Sequence, residues 1–187
     1  FLPALFARAA ICERRGGERD QARAAAAFRR IGDLAAANRE LPDAVLAHVK
    51  AGQLFEGVDN DQAIASYERV LELDPDHLHA MRILTRLYEE RSRWYRALRM
   101  NLRYARRLED PVEVSGCHLR MGNVFLERFD DLDRARKHFS AALTHDPGNL
   151  GALSSQATVH QRQGHPTRAA RLLLRLIELA DPARHQQ

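Results

Sequence analysis

The stretch Asp61–Asp76, DQAIASYERVLELDPD, decides the fold, because its spacing returns further down the chain. Ala63, Tyr67, Val70 and Pro75 stand at steps of 4, 3 and 5. Ala135, Phe139, Ala142 and Pro147 repeat those steps with similar residue types. Ala97, Asn101 and Tyr104 repeat the first two steps, and so do Ala169, Leu173 and Leu176. The interval from Ala63 to Ala97, and again from Ala135 to Ala169, is 34 residues. A period of this size marks a helix–turn–helix repeat, whose unit cannot bury its apolar face alone and stacks on copies of itself.

Working outward, apolar residues recur at helical spacing rather than alternating, as in Ile64, Tyr67, Val70 and Leu71. The chain therefore reads as all-α, with about ten antiparallel helices in five hairpins. The first pair is Leu2–Arg15 and Glu18–Arg39, split by Gly16-Gly17, with Asp20 able to cap the second helix. Pro42 suits the start of the next helix. The second pair is Asp43–Glu56 and Asp61–Leu73, with Asp59, Asn60 or Asp61 as the cap between them. The third is His77–Glu90 and Trp94–Leu108, and the fourth Val112–Arg128 and Leu132–Thr144. The fifth is Leu150–Gln163 and Thr167–Leu179, with Gly164 placed to end its first helix. Residues 183–187 read as a frayed tail.

These positions resemble the tetratricopeptide repeat (TPR) family. Its pattern sets a small residue in the first helix, a large one three later, then Ala, an aromatic, Ala and Pro. The small sites are Ala51, Thr85, Gly122 and Ala157, and the large ones Leu54, Tyr88, Phe125 and His160. The second-helix Ala sites are Ala63, Ala97, Ala135 and Ala169. The likeness covers residues 43–182 as four repeats, while 1–42 form a divergent first hairpin or cap. The interval from Ala97 to Ala135 is 38, which predicts a longer linker near Pro111 and an extra residue in the turn at Phe129–Asp131. The resemblance implies a right-handed superhelical solenoid in which first helices line a concave groove. Family groove positions fall at His48, Gly52 and Phe55, then His79, Arg82, Arg86 and Glu89, then Leu119, Asn123 and Leu126, and finally Ser154, Thr158 and Gln161. Arg82 and Arg86 share a helix face, and beside Asn123 they partly resemble the carboxylate clamp of chaperone-binding TPR proteins. The alternative is that these guanidinium groups are solvated or paired with Glu89 and Glu90.

The third repeat is also strongly basic. Arg96, Arg99, Arg103 and Arg107 recur at steps of 3 and 4, so they form a stripe, with Trp94, Tyr95 and Tyr104 among them. Such a stripe fits a solvated outer face, an acidic protein, or phosphates and bases.

Composition narrows the classes further. The 187 residues are 45% hydrophobic and 29% charged, the range of a soluble globular chain, and no apolar run is long enough to span a membrane. The net charge is +4, and only Lys50 and Lys137 among the 29 basic residues are not Arg, as codon usage in a GC-rich bacterial genome would produce. Cys12 and Cys117 lie far apart with no CxxC motif, so neither a zinc site nor a redox pair is indicated, and a reducing cytoplasm is the expected compartment. A chain opening on Phe1 is expected to be part of a longer or processed one, with an upstream signal or anchor an open alternative. His77 and His79 point to different helix faces; His138 and His145 can align but have no evident third ligand. Ser115, Cys117 and His118 are neighbours without the orienting third group that a nucleophile needs. The expectation is a non-enzymatic protein–protein interaction scaffold, without metal or cofactor, that binds a peptide or helix of a partner of acidic character. The alternatives are a self-assembly module, motivated by the apolar run Phe1–Ile11, and a basic nucleic-acid or nucleotide binder.

Overall fold

The computed structural model describes residues 2–14 and 17–180, and every element among them is an α-helix. In chain order these are α1 (Leu2–Arg14), α2 (Glu18–Ala37), α3 (Leu41–Phe55), α4 (Asn60–Leu73), α5 (Leu78–Glu90), α6 (Trp94–Ala105), α7 (Pro111–Arg128), α8 (Leu132–His145), α9 (Leu150–Arg162) and α10 (Pro166–Ala180). The expected tail at 183–187 lies outside the described residues. Residues up to Met100 and residues from Asn101 onward form two compact units.

The helix starts follow from side-chain acceptors for orphan amides. Asp59 accepts from the amides of Asp61 and Gln62, Asp110 from Val112, Asp131 from Arg134, and Asn149 from Ala152. His77 does the same for α5 through its ring, which takes the Ala80 amide at 3.2 Å. Asp20 does not cap α2: that place belongs to Gly17, without a side-chain bond, and Asp20 instead lies 3.7 Å from Arg23. Gly164 ends its turn at φ 74°, a backbone angle that suits glycine.

In the first unit α1 and α2 pack together, α2 packs on α3, and α3 on α4. Ala9, Phe28, Ile31, Ala47 and Ala51 make one core cluster, against which Leu5, Phe6, Ala27 and Leu54 lie partly buried. The divergent first hairpin thus shares its core with the first regular repeat. Small residues permit the close approach. A Cβ on Gly52 would meet the Tyr67 ring at 2.7 Å, and one on Gly32 would meet His48 at 2.6 Å.

The second unit repeats the device. The Phe139 ring is fully buried against Gly122, where a Cβ would come within 2.4 Å of it. Asn101 is buried and donates from Nδ2 to the Cys117 carbonyl at 2.9 Å, which explains a polar residue at an aromatic position of the repeat. The 38-residue interval is absorbed at both expected places and within α7 as well. The linker 106–110 has five residues where 74–77 and 146–149 have four, the return from the Phe125 carbonyl to the Asp131 amide takes one residue more than those from Tyr88 to Arg93 and from His160 to His165, and α7 itself runs 18 residues where α5 and α9 each run 13. The start of α7 is fixed by Asp110 and Pro111, so most of the insertion lengthens a helix.

Candidate partner-binding surfaces

The family groove positions divide by burial. His48 and Phe55, expected in the groove, are interior residues at 1% and 6% exposure. The long α2 lies on α3, and Gly32 opens the notch that the His48 ring fills. Neither ring nitrogen of His48 makes a hydrogen bond, although Nε2 is 3.4 Å from Asp33. Burial holds its pKa below the usual histidine value despite the opposing Asp33 charge, so the ring is neutral near pH 7.

On α5, Arg86 is committed to its own unit. It reaches Glu56 through one nitrogen and Glu90 Oε1 through another at 2.6 Å. Glu56 also accepts the Tyr67 hydroxyl at 2.6 Å, and Glu90 accepts from Asn60 at 3.1 Å. Burial, then the bond to Glu56, pushes the Tyr67 hydroxyl pKa well upward. The pairing with Glu90 is the one the sequence offers; Glu56, 30 residues earlier, comes from the neighbouring hairpin. Arg82 is exposed, with His79 Nδ1 at 3.5 Å. His79 is half-buried and edge-on to Tyr67, and burial followed by the Arg82 charge lowers its pKa. Glu89 is half-buried.

The helical part of the basic stripe is shorter than its sequence suggests, and Arg96 within it is paired. Arg96, Arg99 and Arg103 lie on α6, but α6 ends at Ala105, so Arg107 sits beyond it in a turn. Arg96 is 3.4 Å from Glu68 and stacks over the Tyr88 ring at 5.9 Å. Arg91 and Arg93 converge on Asp61 at 3.1 and 2.8 Å. Trp94 and Tyr104 are half-buried, while Tyr95 is 71% exposed.

In the second unit two first helices stand side by side. Leu119, Asn123 and Leu126 are half-buried on α7; Ser154, Thr158 and Gln161 are exposed on α9. Asn123 Oδ1 accepts from Ser155 Oγ at 3.3 Å, and Leu119 lies against Gly151, where a Cβ would come within 2.8 Å. Each set is spaced as one helix face, so the two rows border one surface.

The sequence gives little sign of the histidine cluster beside it. His118 Nδ1 is 3.1 Å from His138 Nδ1, and the His145 ring stacks on His118. Only the spacing of His138 and His145 was visible beforehand. Ser115 accepts from Asn149 at 2.8 Å, and burial pushes the Cys117 thiol pKa up to about 11. Among the described residues no three His, Cys, Asp or Glu side chains are arranged to hold a metal ion, and no helix is long and apolar enough to cross a membrane.

No protein-family model and no curated protein matches this sequence. Solved structures do. A crystal structure of MamA is 17% identical over 88% of this chain and 91% of its own, with a TM-score of 0.66. MamA from Desulfovibrio magneticus RS-1, from residue 41 to its end, is 15% identical over 100% of this chain and 97% of its own, with a TM-score of 0.59. YrrB, a TPR protein with an unusual peptide-binding site, is 17% identical over 82% and 84%, with a TM-score of 0.55. At these identities the likeness speaks for the fold, and it agrees with the repeat interval, the paired helices and the ring-in-notch packing of Tyr67 and Phe139: the chain has an all-α helical-repeat fold of the tetratricopeptide type.

Proposed function

We propose that the chain is a non-enzymatic interaction scaffold that docks a peptide or helix of a partner protein on faces left open by the first helices of its repeats. The observation behind this is the double row of the second unit. Leu119 and Leu126 supply apolar anchors around Asn123, and Ser154, Thr158 and Gln161 border them with hydroxyl and amide groups. Anchors of that kind carry most binding energy, while the polar neighbours fix register. In the first unit the exposed guanidinium of Arg82 is available to a carboxylate, whereas Arg86 already holds two. A pI of about 9.5 favours an acidic partner, and the peptide-binding site of YrrB supports a peptide as ligand. We place the protein in a bacterial cytoplasm, in keeping with the free, buried Cys117 thiol.

Capture from host lysate by wild type, Thr158→Arg and Arg82→Glu tests the reading. Both substituted residues are exposed, so the folded chain should be undisturbed. A partner retained by wild type and lost by either variant supports docking on that face. A partner retained equally by both variants overturns it.

Self-assembly is the second reading, favoured by α10, whose Leu174 is 61% exposed alongside exposed Ile177 and Leu179. The original motive for it weakens, because Leu5, Phe6 and Ala9 pack into the first unit's own core. A mass in light scattering that stays monomeric as concentration rises would remove it.

A further inference from the structure

The helix α10 carries interior side chains on a face that lies open. The repeat register sets Ala170, Leu173 and Ile177 of α10 where α4 has Ile64, Tyr67 and Leu71. The α4 set is buried, on a helix against which α5 packs. On α10, Ala170 and Ile177 are exposed, Leu173 is half-buried, and Leu174 beside them is the most exposed leucine of the helix. Ala170, Leu174 and Ile177 follow one another at steps of 4 and 3, so they form one apolar stripe. Contiguous apolar surface of this kind marks a contact, whereas a lone exposed leucine does not. Charge decides what fits it. Arg171 and Glu178 are exposed along one edge of the stripe, seven residues or close to two turns apart. Neither is in an ion pair among the described residues, and Arg175, between them in sequence, donates to the Pro147 carbonyl at 3.0 Å.

We propose that α10 is the interface of a two-fold dimer, in which the α10 of a second copy packs antiparallel across the stripe. The inference rests on the self-assembly reading above and gives it a surface and a symmetry. With the axis close to Leu174, each Arg171 faces the Glu178 of the other copy, so both ion pairs form at once, and Ala170 and Ile177 pack on either side of the axis. Opposite charges at this spacing make the edge complementary to itself, as a two-fold contact requires. A parallel arrangement would set Arg171 against Arg171 and Glu178 against Glu178, and like charges facing each other disfavour it. The contact closes on itself at two copies, unlike a head-to-tail stack. One helix face makes a small interface, so the dimer exchanges with monomer and its share rises with concentration.

The test follows the mass of the whole chain by light scattering over a concentration series at low salt, for wild type, Arg171→Glu and Glu178→Arg. Wild type should rise toward twice the monomer mass and level off there. Each variant sets like charges against each other at both ends of the contact, so each should stay monomeric at concentrations where wild type pairs. Mixed in equal amounts, the two variants regain both ion pairs and should form a dimer again, which also shows that neither substitution spoils the fold. Wild type that remains monomeric overturns the proposal together with the self-assembly reading. A dimer whose mass neither variant lowers overturns the α10 interface and leaves self-assembly to another surface. Wild-type mass that climbs past the dimer overturns the two-fold contact, and variants that stay monomeric when mixed overturn the antiparallel pairing.

Discussion

Gly122 and Gly52 show how much one missing methyl group decides. Each sits where an aromatic ring of the following helix is fully buried, Phe139 in one case and Tyr67 in the other. In Gly122→Ala the new Cβ falls 2.4 Å from the Phe139 ring, which has no empty space to retreat into. Overpacking of this kind costs about 1–3 kcal/mol, more than the helix-propensity gain of alanine returns. Thermal unfolding of Gly122→Ala should therefore show a lower Tm; an unchanged or higher one would mean that the ring moves freely. In the sequence Gly52 reads as a groove position beside the small site Ala51, whereas Gly122 was legible there, since a small side chain in the first helix and a ring in the second recur with the repeat. His48 and Phe55 were not. Their family positions point to a groove, but burial depends on what covers α3, and α2 comes from the part of the chain that departs from the repeat.

Helix pairs show a regularity that composition hides. Arg93 reaches Asp61 across 32 residues, Arg86 reaches Glu56 across 30, and Arg96 reaches Glu68 across 28. The second unit does likewise, with Arg162 on Asp130 across 32 residues and Gln163 on Asp133 across 30. Turn and helix residues of one repeat are thus bonded to residues of the repeat before it. In the basic third repeat Arg86, Arg93 and Arg96 find their acids about one repeat earlier. Reading them requires the helix phases, which a single sequence leaves open, whereas the spacing of helix-forming segments needs no such knowledge. Exposed pairs of this kind each contribute about 0.2–1 kcal/mol. A double-mutant cycle on Asp61→Asn and Arg93→Gln, followed by urea unfolding, should give a coupling in that range that shrinks in high salt. A coupling of zero at low salt would mean that the Asp61–Arg93 pair is not maintained in solution.

For the whole chain, acid is the expected weakness. His48, His79, His118, His138 and His160 all have pKa values lowered first by burial. In the unfolded chain the same rings titrate near about 6.5. Between that value and the lower folded ones, the unfolded state binds protons that the folded state refuses, so stability rises with pH across the window. It is at full value above about 6.5 and is lost as pH falls below it. The urea midpoint should be lower at pH 5 than at pH 8; an equal or higher midpoint at pH 5 would show that these rings take up protons without cost.

The bridges that span one repeat also bear on how such a chain changes by inheritance. A duplication or loss of one whole unit keeps such partners about one repeat apart, because these bonds connect neighbouring repeats at intervals of 28 to 32 residues. Gains and losses in steps of one period are thereby tolerated, while an indel of a few residues between a donor and its acceptor shifts the two apart. The insertion before Ala135 lengthens α7, and it leaves the Arg162–Asp130 bridge of the following repeat intact.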